Sequence, residues 1–376
     1  RVTTKPGLLD AQKSRTPKTL KIALVTLSAL VVVVGAAAVW QFALHKAPPA
    51  VEKVDLRKVV FAPPDKTSIA VLPFQNMTGD PEQEYFSDGM AEQLITGLSQ
   101  TPDIYVAART SSFAFKGKSM TAQQISEQLG VRYLLEGSVQ RDAERVRINV
   151  QLIDGRDGSH IWAKRYDHQL EDLFALQDRI TMEVMEALNV KFLPGVTETN
   201  LSISLKQYRP SNLKAYEAYL KGFNLFFRRN KADSIAARKL FEEAIALDPN
   251  FTQAYRSLGF AYLDEVWFGV TKTPQKSIEQ AEMAAQKSIE LSPDLPPPHG
   301  LLSVISLLKK DYDDAVAHAE KAVDLSPNDP GSYFSLGLAL TTVGRFEEAI
   351  KAHQTSFRLS PLRPLTWINN LAWAHL

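Results

Sequence analysis

The longest unbroken apolar run in the chain is Ile22–Leu44, IALVTLSALVVVVGAAAVWQFAL, with no charged residue and only Thr26, Ser28 and Gln41 as clearly polar positions. As a helix rising about 1.5 Å per residue it spans roughly 34 Å, enough for a bilayer core of about 30 Å. A helix satisfies its own backbone in lipid, where a strand or loop does not. The pattern therefore predicts one membrane-spanning helix over 22–44, a short leading piece over 1–21, and a long trailing body polar enough to fold in water.

The flanks set an orientation. Arg1, Lys5, Lys13, Arg15, Lys18 and Lys21 precede the run against a single Asp10, whereas Lys46, Lys53, Arg57 and Lys58 follow it together with Glu52 and Asp55. Because Lys and Arg bias a segment toward the cytoplasmic side, 1–21 is expected to be a cytoplasmic stub and the body to lie outside the inner membrane, with Trp40 as an interfacial anchor. The rival reading is a cleaved signal peptide with Ala36-Ala37-Ala38 as its small-residue site, against which the apolar run continues past the would-be cut.

After an extended tether over 45–66, bracketed by Ala47-Pro48-Pro49-Ala50 and Ala62-Pro63-Pro64, the periodicity changes. Ser68–Phe74 is nearly continuous in apolar residues, as a strand buried on both faces reads. Asp80 suits an N-cap, Pro81 the first helical position and Gln83 a capping box. Phe86, Met90, Leu94 and Leu98, with Ile95 beside them, then form one stripe on a helix of about 18 residues. Ile104–Ala108 reads as a short strand. Thr121 with Gln124 repeats the capping box, and Gly130 ends that helix. Tyr133–Gln140 reads as a strand. Val146, Ile148, Val150 and Leu152 alternate with Arg147, Asn149 and Gln151, a strand with one wet face. A turn at Asp154-Gly155 and Asp157-Gly158 leads to strand Ser159–Tyr166 and a final helix from Leu170. The order β-α-β-α-β-β-β-α over 67–190 predicts an α+β fold, a mixed sheet packed with helices.

The stretches SIAVLPFQNMTGDPEQEYFSDGMAEQL, ARTSSFAFKGK, LGVRYLLEGSVQR and RINVQLIDGRDGSHIWAKRYD resemble the TolB amino-terminal-like domain, nearly without gaps over 67–190. The resemblance implies an interaction or assembly fold of the kind that sits outside the membrane in bacterial signalling proteins, not a catalyst.

Beyond a second linker over 191–210, four segments align: ARKLFEEAIALDP, AEMAAQKSIELSP, AVAHAEKAVDLSP and AIKAHQTSFRLSP. Their last residues, Pro249, Pro293, Pro327 and Pro361, lie 44, 34 and 34 apart, with the excess near Glu265–Pro274 read as an insertion between helices. Tyr255, His299, Tyr333 and Trp367 stand six residues after the prolines. Leu258-Gly259 and Leu336-Gly337 fall where two helices must touch closely. These segments resemble tetratricopeptide repeats, which makes 211–376 an all-α solenoid. Departures are Leu302-Ser303 where Leu-Gly is usual, and His353 and Ser356 in place of small residues. Each helix pair of such an array buries its Ala/Leu face against its neighbours only. The last repeat stops within a helical pattern and the chain opens on Arg, so both ends are expected to be cuts in a longer protein.

Composition narrows the function. The 376 residues carry a net charge of +1, which gives no electrostatic case for nucleic acid binding in this segment. The chain has no cysteine, which excludes a thiol nucleophile and a cysteine-ligated metal. His45, His160, His168, His299, His318, His353 and His375 show no spacing of a helical metal site, and Gly79-Asp80 and Gly117-Lys118 make no complete phosphate loop. Acidic pairs such as Glu242-Glu243 and Asp313-Asp314 read as solvated helix faces, and Tyr216, Tyr219, Phe223, Phe226 and Phe227 as core at helical spacing. No catalytic residue, cofactor or metal ligand is assigned.

One constellation points to binding. In tetratricopeptide arrays the first helix of each unit lines a concave groove, and by position Arg256, Phe260, Asp264, Val304, Phe334, Leu338 and Thr341 are candidates to face it. A peptide or helix of a protein partner is the expected guest, held by aromatic or Arg anchors. The alternative for Phe260, Val304 and Leu338 is packing between helices. The order stub, span, TolB-like domain and repeats resembles the C-terminal part of membrane-bound class III adenylate or guanylate cyclases. That resemblance implies a sensing and interaction portion whose catalytic domain lies upstream, and a homodimer. Two other readings stay open: the outer part of a transmembrane winged-helix transcription regulator, and an anchored envelope scaffold.

Overall fold

The computed structural model describes residues 67–99, 104–188, 210–293 and 296–362. The expected stub 1–21, span 22–44 and tether 45–66, nearly all of the linker 191–210, and residues 363–376 lie outside the described residues. Among the described residues no helix is long and apolar enough to cross a membrane.

The first part is a mixed sheet with helices, as the periodicity predicts. Its strands are β1 (Thr67–Val71), β2 (Gln75–Asn76), β3 (Ile104–Val106), β4 (Tyr133–Asp142), β5 (Arg145–Asp154) and β6 (Ser159–Gln169). They run in the order β3-β1-β4-β5-β6, with β2 beside β4. β1 pairs parallel with both β3 and β4, Ile69 lying opposite Val106 and Tyr133, whereas β4, β5 and β6 form an antiparallel meander. β1 is therefore central, and its side chains alternate between two cores. Ile69 and Val71 join Phe86, Met90, Leu94, Leu98, Ile180 and Val184 on one face, while Ala70 and Leu72 join Ile125, Leu129, Leu134 and Ile153 on the other. β5 shows the predicted wet face, with Val146, Ile148, Val150 and Leu152 buried and Arg147 and Asn149 exposed.

The helices of this part are α1 (Glu84–Ser99), α2 (Arg109–Ser112), α3 (Ala122–Leu129) and α4 (Leu173–Ala187). α3 carries the expected capping box, with Gln124 N donating to Thr121 Oγ1 at 3.2 Å and Thr121 N donating to Gln124 Oε1 at 3.0 Å. It ends at Gly130, whose φ of 65° only a residue without Cβ adopts at little cost. The start of α1 differs from expectation. Asp80 accepts from Glu82 N at 2.9 Å and Pro81 opens a 3-10 turn over Pro81–Gln83, but the Gln83 side chain makes no reciprocal bond and its Oε1 is buried without a hydrogen-bond partner among the described residues. The tighter turn makes its own bond, Gln83 N to Asp80 O at 3.0 Å, which serves the orphan amide. The short elements β2 and α2 have no counterpart in the predicted order.

Among the described residues the second part is a solenoid of four helical hairpins: α5 (Leu213–Phe226) with α6 (Lys231–Leu247), α7 (Thr252–Trp267) with α8 (Pro274–Leu291), α9 (Pro296–Lys309) with α10 (Tyr312–Leu325), and α11 (Pro330–Thr342) with α12 (Phe346–Leu359). Alanine dominates the seams: Ala281, Ala285, Ala315, Ala319, Ala322, Ala339 and Ala349 are all fully buried. Small side chains let the helix axes approach, and Gly259 and Gly337 carry this furthest. A Cβ at Gly259 would lie 2.5 Å from Leu301 Cδ2, and one at Gly337 2.5 Å from His353 Cε1. The ring of His353, which departs from the small-residue pattern, thus packs onto a glycine. The long 44-residue unit is not a simple loop insertion. Relative to the α9–α10 hairpin, its ten extra residues fall as two in the first helix, four in the loop and four in the second helix.

Candidate interaction groove

The first helices α5, α7, α9 and α11 pack against one another in series, so side chains on their shared side form a continuous surface. Arg256, Phe260 and Asp264 sit one turn apart on α7, Val304 on α9, and Phe334, Leu338 and Thr341 on α11. Six of the seven are half-buried, and Asp264 is buried. Phe260 and Val304 also pack on the cluster of Leu263, Ile278, Leu301 and Ile305, so each combines helix packing with a partly open surface. The Phe334 ring lies 6.0 Å from that of His353, and Thr341 Oγ1 donates to Gly337 O at 2.7 Å, which orients both.

Asp264 is held from within. Arg229 Nη1 lies 2.9 and 2.7 Å from its two carboxylate oxygens. Arg229 follows α5 in a left-handed conformation, φ 53°, and its guanidinium stands 5.5 Å from the rings of Phe226 and Phe268. Burial pushes the Asp264 carboxyl up to about 6, against the opposing pull of Arg229.

The array's first helices meet the α/β domain through charge. Glu84, Asp88 and Glu92 stand at successive i, i+4 positions on α1. Lys116 Nζ bonds Glu84 at 2.7 Å and Asp88 at 2.6 and 2.7 Å, and Asn224 of α5 donates to Asp88 at 3.1 Å. Arg109, on α2, places Nε 3.1 Å from Glu92 Oε2. Its guanidinium lies between the rings of Phe113, at 3.9 Å, and Phe227 of the array, at 4.1 Å. Burial pushes the Glu92 carboxyl up, while the positive charges of Arg109 and Arg256 pull it back down. Burial also raises Asp88, opposed by Lys116. Arg256 therefore looks toward the α/β domain, with its Nε buried and without a hydrogen-bond partner among the described residues. Gly89 completes the fit: a Cβ there would meet Leu220 Cδ1 at 2.5 Å.

This cluster is only half legible in the sequence: the four-residue spacing of Glu84, Asp88 and Glu92 signals an acidic helix face, but its partners Arg109, Lys116 and Asn224 come from other elements. His299 and His318, scattered in sequence, are brought together by the α9–α10 hairpin, their Nδ1 atoms 3.4 Å apart. Burial pushes both imidazoles below their ordinary pKa. Among the described residues no group of three or more His, Asp or Glu is placed to hold a metal ion.

Residues 65–183 match the family described as HilA/YgeH-like transcriptional regulator, second domain, and residues 298–329 match the tetratricopeptide repeat. The chain is 40% identical over 255 residues to "Putative adenylate cyclase 3" of Rhizobium meliloti (strain 1021), a match covering 67% of this chain and 42% of that protein. The chain thus spans less than half the length of this relative. Among solved structures, a thermophilic TPR protein of Thermus thermophilus is similar at 16% identity and a TM-score of 0.37, over 54% of this chain and 95% of that one. TolB from Acinetobacter baumannii is similar at 16% identity and a TM-score of 0.25, over 34% of this chain and 29% of that one. The solenoid is an array of tetratricopeptide type joined to a mixed-sheet domain, in a chain related to a protein named as an adenylate cyclase.

Proposed function

We propose that the chain is the protein-interaction portion of a single-pass membrane signalling protein. In this reading a cyclase domain in the cytoplasm makes the cyclic nucleotide, residues 22–44 cross the inner membrane, and the α/β domain, of TolB amino-terminal-like kind, stands outside with the repeats. The observation that carries the reading is the 40% identity to a relative named as a putative adenylate cyclase, of which this chain matches less than half. Of the candidate groove residues Arg256, Phe260, Asp264, Val304, Phe334, Leu338 and Thr341, those on the open side, Phe260, Val304, Phe334, Leu338 and Thr341, take the partner, an extended peptide or a helix, while Arg256 faces the α/β domain. Of these, Phe334 and Leu338 supply half-exposed apolar surface, whereas Asp264 is spent on Arg229 and positions the wall.

The test compares the complete open reading frame with the 376-residue chain. The full-length protein is expected to form cyclic AMP or cyclic GMP, and the chain by itself to form none. Turnover by the chain that a point change within 67–362 abolishes overturns the non-catalytic role. Protease shaving of intact spheroplasts checks the topology, the repeats being cut before lysis.

A second reading has an observation of its own. The match of 65–183 to the second domain of HilA/YgeH-like regulators favours a transcription regulator in which a winged-helix DNA reader replaces the cyclase. Retention of promoter DNA by the full-length protein, without cyclic nucleotide formation, selects it.

A further inference from the structure

The α9–α10 hairpin departs from the repeat pattern at two places that meet in space. In the hairpins on either side, the residue six after one closing proline and the residue nine before the next are Tyr255 with Ala284 and Tyr333 with Ala352. In α9–α10 the same two places hold His299 and His318. An aromatic and a small residue serve packing alone, whereas two imidazoles add ligand atoms.

The two side chains stand head to head. Nδ1 of His299 lies 3.4 Å from Nδ1 of His318, with the ring centroids 5.7 Å apart and the ring planes inclined by 32°. A tetrahedral ion about 2.0–2.1 Å from each of two imidazole nitrogens holds those nitrogens about 3.3–3.4 Å apart. The observed spacing is thus that of two ligands on one ion, and a turn of each ring brings both lone pairs onto it. The backbone beneath is set by packing. His318 lies between the fully buried Ala315 and Ala319 on α10, and His299 beside the buried Leu301 and Leu302 on α9. Ligands mounted on packed helices keep their spacing. Both rings are half-buried, which leaves them within reach of water. Burial lowers the pKa of each, helped for His299 by the positive charge of Lys321, while Asp314 pulls His318 the other way. The neutral imidazole so favoured is the form that ligates metal.

We propose that His299 and His318 form a two-histidine site for a tetrahedral divalent transition ion, zinc by preference, bound through both Nδ1 atoms. Each ring then carries its proton on Nε2. Imidazole suits zinc, whereas magnesium and calcium take oxygen ligands, and tetragonal copper sets neighbouring nitrogens closer together than this pair. Among the described residues no third His, Asp or Glu is placed to join, so water fills the remaining positions and the ion exchanges freely. Once bound, it clips α9 to α10 at the middle of the described array. The site is independent of the groove and of any upstream domain.

The test titrates the full chain with zinc chloride by calorimetry, with magnesium chloride as the control. His318→Ala and His299→Tyr each install the residue of the flanking hairpins, so both variants are expected to fold. The second imidazole binds within the same molecule as the first, so either substitution should weaken zinc binding by about a hundredfold, and the double variant should bind no more weakly than either single one. Nitrogen-15 labelling of the histidines gives a readout on the wild type itself: the Nδ1 resonances of His299 and His318 should shift together as zinc is added, and magnesium should shift neither. His299→Gln replaces His299→Tyr should the tyrosine variant unfold. Zinc affinity that survives in either folded variant overturns the site, as do shifts confined to the remaining histidines. Losses that add in the double variant mark two separate ligands and overturn the shared ion.

Discussion

The α/β domain and the helical array bury their apolar residues by opposite means. In the domain, β1 lies between strands that arrive 35 and more residues later, Thr67 opposite Ile104 and Ile69 opposite Tyr133, and large side chains such as Phe74, Met90, Leu94 and Leu98 fill the space around it. In the array the contacts run from one helix to the next, and alanine and glycine set the distance. A core built by non-local pairing responds as a unit, whereas an array built from neighbours responds near the site of insult. Two places depart from this, because α5 belongs to one core of the domain and Leu359 of α12 enters the other.

The strongest test of that difference is Leu94→Ala. Leu94 is fully buried in the shared cluster, and its loss is expected to cost about 2–5 kcal/mol. Urea unfolding should show that drop, and hydrogen exchange should show α5 losing protection together with α1 and α4. Protection that falls in α1 and α4 while α5 holds breaks the claim of one core.

Next in size is Asp264→Asn, which probes the array's own buried charge. The Asp264 carboxyl sits at about 6 in the fold against an ordinary 3.8, so the native state holds the proton more tightly than the unfolded chain does. The stability this confers is complete below about pH 4 and is lost as pH rises through about 6. Stability of the wild type relative to the variant is therefore expected to fall by up to about 3 kcal/mol between about pH 4 and pH 7, read from unfolding midpoints at a series of pH values. A flat or rising difference would mean that the Arg229 pair outweighs burial.

The smallest effect sharpens locality. Gly337→Val drives its Cβ into the His353 ring and is expected to cost about 1–3 kcal/mol, with faster exchange confined to α11 and α12. Loss of protection reaching α1 and α4 would show that the last hairpin reports to the domain core in the ground state.

Much of this was legible along the chain, for reasons that particular residues display. Alternation in Val146–Leu152 marked β5 because a strand turns successive side chains to opposite faces. Thr121 with Gln124 and Gly130 marked both ends of α3 because capping chemistry is local. The 34-residue period marked the solenoid because each hairpin solves the same packing problem. The Gly259 and Gly337 contacts followed from the same spacing. The first turn of α1 escaped prediction, since Asp80 and Pro81 fit a 3-10 start as well as a capping box. Of the groove, helix membership was legible. That Asp264 would be buried against Arg229 and Arg256 turned toward Glu92 was not, because the partners sit on other helices.

The sequence by itself determined the longer strands and helices, that a mixed sheet precedes an array, and which helix faces carry alanine. Those are properties of windows of a few to a few tens of residues, where periodicity and capping act. The tertiary structure decided that the acidic stripe of α1 meets Arg109 and Lys116, that His299 lies against His318, and that Tyr105 reaches Leu359 across some 250 residues. Those contacts depend on the order of strands in the sheet and on rotations summed along successive helices, and no local pattern encodes such a sum.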